Sequence, residues 1–323
     1  MALSYDTFKT VTENVYIPKL IDNIYDSSTL LKILAMDKAV KLTGGTYIFE
    51  PLKYGKSTAV GVYDKYDTFD ITPPDNLTKA RFSWGHYFSS ISIAGSDEIE
   101  NQGKAKILDL LAIKFEEAEM SLKDKLADDL YAGSDTKGII GLTSAISDTT
   151  TYGNIAVADF SGWASGEDST SHSSTNMKDS TNSSYVITLL QNAIRSTSHL
   201  GQKANLFVTN LFVWDIIEQV INANVAYNKT TTARGQAIAA AGFNVIEYRG
   251  IPIVADEKCP DATMYALNTN FVNFRVNPMR NFKFTGYKQS VNQDAKIGQI
   301  LLACQLCVNN RRMHYKFDAL PTS

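Results

Sequence analysis

Residues 97–131 read DEIENQGKAKILDLLAIKFEEAEMSLKDKLADDLY. Leu111, Phe115, Ala118, Leu122, Leu126 and Leu130 recur at steps of three and four, which lays an apolar stripe along one side of a helix. Asp97 and Glu100 have the form of a capping box, Glu119 and Lys123 make an i,i+4 pair in the favourable order, and Gly133 supplies a stop. Gly103 is a weak point near the start. At about 1.5 Å per residue this helix spans roughly 50 Å. A compact core does not need such a length, so the helix is expected to run along an elongated molecule.

The stretch before it has the opposite character. Between Gly45 and Gly95 stand Tyr47, Phe49, Tyr54, Tyr63, Tyr66, Phe69, Phe82, Trp84, Tyr87 and Phe88, while Leu and Ala are scarce. Phe82 and Trp84 alternate with Arg81 and Ser83, as in a strand with two different faces. Pro73-Pro74-Asp75-Asn76 is a strong turn signal. The reading is a long two-stranded β-hairpin from Gly45 to Ser90. A two-stranded hairpin is marginal in water and must lie on something, for which another subunit is a natural candidate. Tyr47, Phe49, Tyr54, Tyr63, Tyr66, Phe69, Phe82, Trp84, His86 and Tyr87 are therefore the candidate subunit-interface residues.

Outward from these two elements, residues 1–43 read as an arm with short helical pieces. Pro18 interrupts it, and Ser27 or Ser28 caps a helix bearing Leu30, Leu31 and Ile33. Gly44-Gly45 marks a turn. Residues 146–184 read as a polar surface loop or insertion, since 161–184 offers only Trp163, Ala164 and Met177 as clear apolar residues. From Tyr185 the pattern is mixed α/β. Val186, Leu189, Leu190, Ala193 and Ile194 mark one helix, Leu206-Phe207-Val208 a buried strand, and Asn210 caps a helix with Val213, Ile216, Ile217 and Val220. Strands are expected at 245–254, 264–267, 271–276, 282–287 and 299–308.

Bulk properties exclude several classes. Of the 323 residues 44% are hydrophobic and 20% charged, ordinary values for a folded protein. No apolar run approaches the ~20 residues that span a bilayer, and the first residues lack the pattern of a signal peptide. A net charge of −3 does not suit a protein that grips a nucleic-acid backbone. Three cysteines suit a reducing compartment without structural disulfides.

The chemical motifs are fragments. Tyr54-Gly55-Lys56-Ser57 ends like a phosphate loop, but Glu50 stands where the first glycine is needed and its charge opposes a phosphate. Cys304 and Cys307 lie within an apolar strand-like run, where residues three apart face opposite ways, and read as core residues. His86, His172, His199 and His314 fall in no metalloprotease or hydrolase arrangement. Glu116, Glu117 and Glu119 read as a solvated helix face. No catalytic, cofactor or metal site is assigned, and no cofactor is expected.

The order of these elements resembles the Hong Kong 97-type coat fold of tailed-phage major capsid proteins, which encapsulin nanocompartments share. The hairpin is similar to its E-loop and the helix 97–131 to its spine helix. Residues 131–142 (YAGSDTKGIIGL) look like the turn after the spine helix, where a Gly-Leu step enters a strand. Residues 242–256 (GFNVIEYRGIPIVAD), Met264 to Asn268, and the ending from Asn292 through Lys316 look like later parts of the fold. The resemblance implies an α+β chain with an N-terminal arm at 1–43, an E-loop at 44–95, a P-domain spine helix and following turn at 96–145, the polar loop at 146–184, an A-domain at 185–270, and returning strands at 271–323. It implies a non-enzymatic subunit of hexamers and pentamers in an icosahedral virion shell, assembled in the bacterial cytoplasm. The shell encloses DNA without specific binding and works with no membrane. Portal and decoration proteins are further partners, with a separate scaffolding protein or none. In some relatives an E-loop lysine crosslinks to a neighbour's asparagine; Lys53, Lys56 and Lys65 are the lysines at hand. An encapsulin-like compartment and a soluble α/β enzyme with an unrecognised site are the competing readings.

Overall fold

A computed structural model describes residues 28–42, 44–55, 59–69, 76–96, 104–133, 137–173, 177, 184–199, 201–224, 232–240, 245–290 and 293–322. The expected arm before Ser28, residues 73–75 of the turn, the Asp97–Glu100 capping box, Gly103, Lys56 and Ser57 lie outside them.

The chain begins with α1 (Thr29–Lys38), β1 (Ala39–Lys41), β2 (Tyr47–Lys53), β3 (Leu77–Ser83) and β4 (Gly85–Ala94). The long helix α2 (Lys104–Ala132) and a helical turn α3 (Leu142–Ala145) follow. Next come β5 (Gly166–Asp168), α4 (Ser184–Thr197), β6 (Leu206–Thr209), α5 (Leu211–Asn224) and α6 (Ala233–Ala240). The chain closes with β7 (Val245–Tyr248), β8 (Ile251–Ala255), β9 (Met264–Leu267), β10 (Val272–Val276), β11 (Lys283–Phe284), β12 (Lys288–Gln289), β13 (Ala295–Val308) and β14 (Tyr315–Phe317).

Two sheets organise these elements. In the first, β13 is the hub and pairs with β10, β11, β12 and β4, while β1 adds to β10. The second has the order β5-β14-β9-β6-β8-β7. Its inner strands β6 and β9 are buried on both faces, which is why Leu206–Val208 and Met264–Leu267 read as continuous apolar runs. Leu206 and Val208 face the core shared with α2 and the first sheet, whereas Phe207 faces α4 and α5. Asn210 caps α5 as its sequence implies, accepting the Val213 N–H at 3.0 Å.

Helix α2 has 29 residues and is about 44 Å long. Phe115, Ala118, Leu122, Leu126 and Leu130 are buried along it, so the stripe seen in the sequence is its packed face. Burying each leucine contributes roughly 2 kcal/mol. The helix ends where Gly133 donates to the Asp129 carbonyl at 2.9 Å. A Cβ on Gly133 would sit 2.4 Å from the carbonyl oxygens of both Asp129 and Ile139, so only glycine fits. Tyr87 locks this end to the sheet: its hydroxyl donates to Asp129 Oδ2 at 2.9 Å and accepts the Ile139 N–H at 3.0 Å.

Four expectations need correction. The hairpin is β2 and β3 alone, in register from Tyr47↔Ser83 to Lys53↔Leu77. Strand β4 instead pairs with β13 from Ala94↔Ala295 to Gly85↔Cys304. The chain breaks at Trp84 because Gly85 presses against backbone: an added Cβ would lie 2.7 Å from the Gly138 carbonyl carbon.

Residues 28–41 are body, not arm. Leu30, Leu31, Ile33 and Leu34 are in the core. Ser28 Oγ accepts the Leu31 N–H at 3.4 Å and donates to buried Asp256 at 2.7 Å.

The stretch 146–173 is anchored to the body at several points, although 148–151 and 169–171 are exposed as a surface loop would be; residues 174–176 and 178–183 of the expected polar loop lie outside the described residues. Tyr152 and Trp163 are buried, β5 pairs with β14, and the fully buried Arg311 donates to the carbonyls of Ala145 (2.7 Å), Ser147 (2.7 Å) and Thr150 (3.0 Å). One long cation thus satisfies a polar segment that has few apolar side chains of its own. Finally, the Gly141-Leu142 step enters α3, not a strand.

Candidate subunit-contact surface

Alternation along β2 and β3 sorts the hairpin into two faces. Ile48 opposes Phe82 and Glu50 opposes Ala80 on the inner face, and all four are buried. Phe82 is 1% exposed and its ring centre lies 4.9 Å from that of Tyr152. Glu50 pairs with Arg275 of β10 at 2.6 Å, so the residue that spoils the phosphate-loop motif fastens the hairpin to the first sheet. Trp84 is 9% exposed, with its indole N–H donated to the Gly45 carbonyl at 3.0 Å. Phe82, Trp84 and Tyr87 are therefore buried by their own chain, which corrects their assignment to a subunit interface. Phe82 Cζ lies 2.9 Å from where a Cβ on Gly153 would be, so the inner face is closely packed.

The outer face carries the rest. Tyr47 and Phe49 are exposed, and each ring lies under a cation of the opposite strand: Arg81 is 4.6 Å from the Tyr47 ring centre and Lys79 is 4.8 Å from that of Phe49. With Asn154 these four line a cavity of about 430 Å³. Tyr54 meets the Phe160 ring edge-on at 5.6 Å. Lys53 is exposed beside Leu77.

Beyond the strands every described residue from Val60 to Phe69 is exposed. Val62 and Tyr66 are 102% and 96% exposed. Tyr63 and Phe69 pack edge-on at 5.0 Å. Lys65 is also exposed here, its N–H donated to Asp64 Oδ1 at 2.7 Å. Water-exposed apolar area of this kind marks a contact surface.

A second exposed patch lies on the first sheet. Tyr87 and Ile91 of β4 point toward α2, so His86 and Phe88 point the other way. Phe88 is 70% exposed and sits opposite Leu301 of β13. His86, Phe88, Arg280, Gln299 and Leu301 line a cavity of about 320 Å³, with exposed Met279 next in sequence to Arg280. Phe88, Met279, Val60 and Val62 were not among the sequence candidates. Phe88 was within reach, because it shares strand parity with His86.

The ionisable groups of the interior serve packing. Burial pushes the thiols of Cys304 and Cys307 well up, away from thiolate chemistry. Lys316 is buried between Glu167 at 3.0 Å and Asp318 at 2.8 Å. Burial raises the Glu167 carboxyl, but hydrogen bonds from Asp318, Lys316 and the Asp148 amide outweigh it and bring it to about 2. Asp318 is shifted up by burial and by its hydrogen bond with Glu167, so the two carboxyls titrate as a pair. His172 shares a hydrogen bond with the Tyr185 hydroxyl at 2.7 Å and has Asp168 at 3.5 Å. Among the described residues no three His, Cys, Asp or Glu side chains gather as metal ligands, and no helix is long and apolar enough to cross a membrane.

No family model and no curated protein matches this sequence. Solved structures do. A chain of the cyanophage A-1(L) capsid asymmetric unit matches with a TM-score of 0.60 at 16% identity, over 90% of this chain and 92% of that one. A chain from the capsid of the native GTA particle gives 0.58 at 11% identity, over 91% and 90%. A chain of the holo-SrpI encapsulin complex from Synechococcus elongatus gives 0.53 at 10% identity, over 90% and 88%. The chain has the α+β fold of these shell chains, and the element order that resembled the Hong Kong 97-type coat fold reflects a shared architecture.

Proposed function

We propose that this chain is the major structural subunit of a tailed-phage head. Copies assemble as hexamers and pentamers into an icosahedral shell that encloses double-stranded DNA, and the mature protein resides in the virion. One observation carries the reading: on a fold that shell chains share nearly end to end, the hairpin tip exposes Val60, Val62, Tyr63, Tyr66 and Phe69 to water. Closed shells arise when one surface of a subunit fits another surface of its copy. The net charge of −3 agrees with enclosing DNA without gripping it. The reading gives the chain no catalytic role. Assembly in the bacterial cytoplasm, a separate scaffolding protein, a portal and decoration proteins belong to the same proposal.

The test is direct. Purified protein is followed by size-exclusion chromatography and negative-stain electron microscopy across salt, pH and crowding conditions. Closed particles or discrete rings of five and six are expected. Small compact species under every condition overturn the reading. A nanocompartment shell is the second reading, favoured by the match to the encapsulin chain over most of both lengths. Nuclease-protected DNA inside particles recovered from the producing cells argues for the phage head, and a co-purifying enzyme cargo for the compartment.

A further inference from the structure

We infer that the outer face of the β2–β3 ladder binds an extended acidic segment of a second, different polypeptide. The inference does not need the shell reading, since every group it uses is exposed on the single chain. The two strands sort charge by side. Their one carboxylate, Glu50, is turned inward onto Arg275. Outward stand Tyr47, Phe49, Lys53, Leu77, Lys79 and Arg81, all exposed. One face thus gathers three cations and no acid, in a chain whose net charge is −3. Lys79 and Arg81 lie over rings rather than beside carboxylates, so their charge is left for a ligand.

Geometry narrows the ligand. Lys79 and Arg81 are two positions apart on β3, which sets them about 6.7 Å apart along the strand. Alternate side chains of an extended peptide repeat at the same interval, so carboxylates at every second position meet both cations. With Tyr47, Phe49 and Asn154 the two cations wall a cavity of about 430 Å³, which gives the segment a bed. The face is the seat, not the edge. Pro51 stands in the middle of β2 without an N–H, so a strand added there would miss a ladder bond. On β3 the Arg81 N–H is already donated to the Gly153 carbonyl at 2.9 Å. A nucleic acid is the poorer ligand, because bases stack on bare ring faces. Tyr47 and Phe49 each have a cation over the ring and lean toward one another at 6.5 Å. Among the described residues no strand or loop of this chain carries carboxylates two positions apart, which points to a different protein as the source.

The test uses dispersed full-length subunits and fluorescence anisotropy. The probes are a labelled ten-residue peptide of alternating glutamate and threonine, the same residues with the glutamates in one block, and a ten-nucleotide oligothymidylate. The alternating peptide is expected to bind about tenfold more tightly than the block peptide. Lys79→Glu together with Arg81→Glu is expected to weaken it by about tenfold or more, and Lys288→Glu, at an exposed cation on β12, to change it by less than about twofold. Urea midpoints report whether the paired change disturbs the hairpin, and Lys79→Gln with Arg81→Gln is the milder pair, expected to weaken binding in the same direction. Equal binding of the two peptides reduces the face to general charge attraction and overturns the inference. Tighter binding of the oligothymidylate overturns it in favour of nucleic acid. Failure of the alternating peptide to bind overturns it as well, and loss of particles in the paired variant then assigns the face to a copy of this chain. Ring and particle formation by the unaltered protein is scored apart, so the shell reading stands or falls on its own.

Discussion

Replacing Phe82 with Ala separates a packed hairpin from one held only by a neighbour. The ring is 1% exposed, faces Tyr152 at 4.9 Å and stands opposite Ile48 in the ladder. Burying a Phe side chain contributes about 1.5–3 kcal/mol. Removal also leaves a cavity under Tyr152, and the rigid neighbours Gly153 and Ala80 limit collapse, adding on the order of 1–2 kcal/mol. The expected loss is about 3–5 kcal/mol. It appears in urea unfolding of unassembled protein as a lower midpoint at unchanged slope. Phe49→Ala on the outer face is the control. That ring is half exposed and gives up mainly its contact with Lys79, about 0.5–1 kcal/mol. If Phe82→Ala costs less than about 1 kcal/mol while assembly fails, the inner face is finished by another subunit and the packing argument is wrong.

Two further perturbations probe the body. Arg311→Met strands the carbonyls of Ala145, Ser147 and Thr150, and is expected to cost about 3 kcal/mol even though it removes a buried charge; a loss under about 1 kcal/mol would show that the 145–163 segment holds itself. Burial, helped by Arg311, lowers the His314 imidazole to about 3. Its folded pKa is thus below the ordinary value near 6.5, so the unfolded chain takes up the proton first. Stability from this residue is level above about pH 7 and declines as pH falls toward 3, by about 1.4 kcal/mol per unit. Between pH 7 and pH 5 the protein should lose about 2 kcal/mol more than His314→Asn does, and equal losses contradict the assignment.

How much of this was legible depended on whether a residue's partner was local. The stripe from Phe115 to Leu130 repeats within one element, so the sequence alone exposes its packed face. Asn210 was equally plain, because a cap acts three residues away. Strand β4 was not. Its alternation continues that of β3 across Trp84, and its true partner, β13, is roughly 200 residues further on. Nothing in 85–94 names that partner; the Gly85 break is set by Gly138 and Cys304, which only the folded chain brings near. The same reason hid the anchoring of 146–173. Its apolar content is low, and the residue that satisfies its carbonyls, Arg311, arrives from the far end of the chain. Among the interface candidates, composition found the hairpin but not its faces. The parity rule would have placed Phe82 and Ile48 inside, given the register Ile48↔Phe82. The tip residues Tyr63, Tyr66 and Phe69 remain the candidates whose exposure calls for a partner.

The long ladder between β4 and β13 also fixes how the subunit bears force. The two strands run antiparallel through ten consecutive residue pairs, from Ala94↔Ala295 to Gly85↔Cys304. Tension drawn along the strands from opposite ends loads that ladder in shear, so its hydrogen bonds must yield together. The β2–β3 hairpin pulled by its tip is loaded differently, since the inner-face rows Glu50–Ala80 and Ile48–Phe82 peel one after another. Under stretch the sheet behaves as a tie-rod, and the hairpin as the compliant joint that gives first.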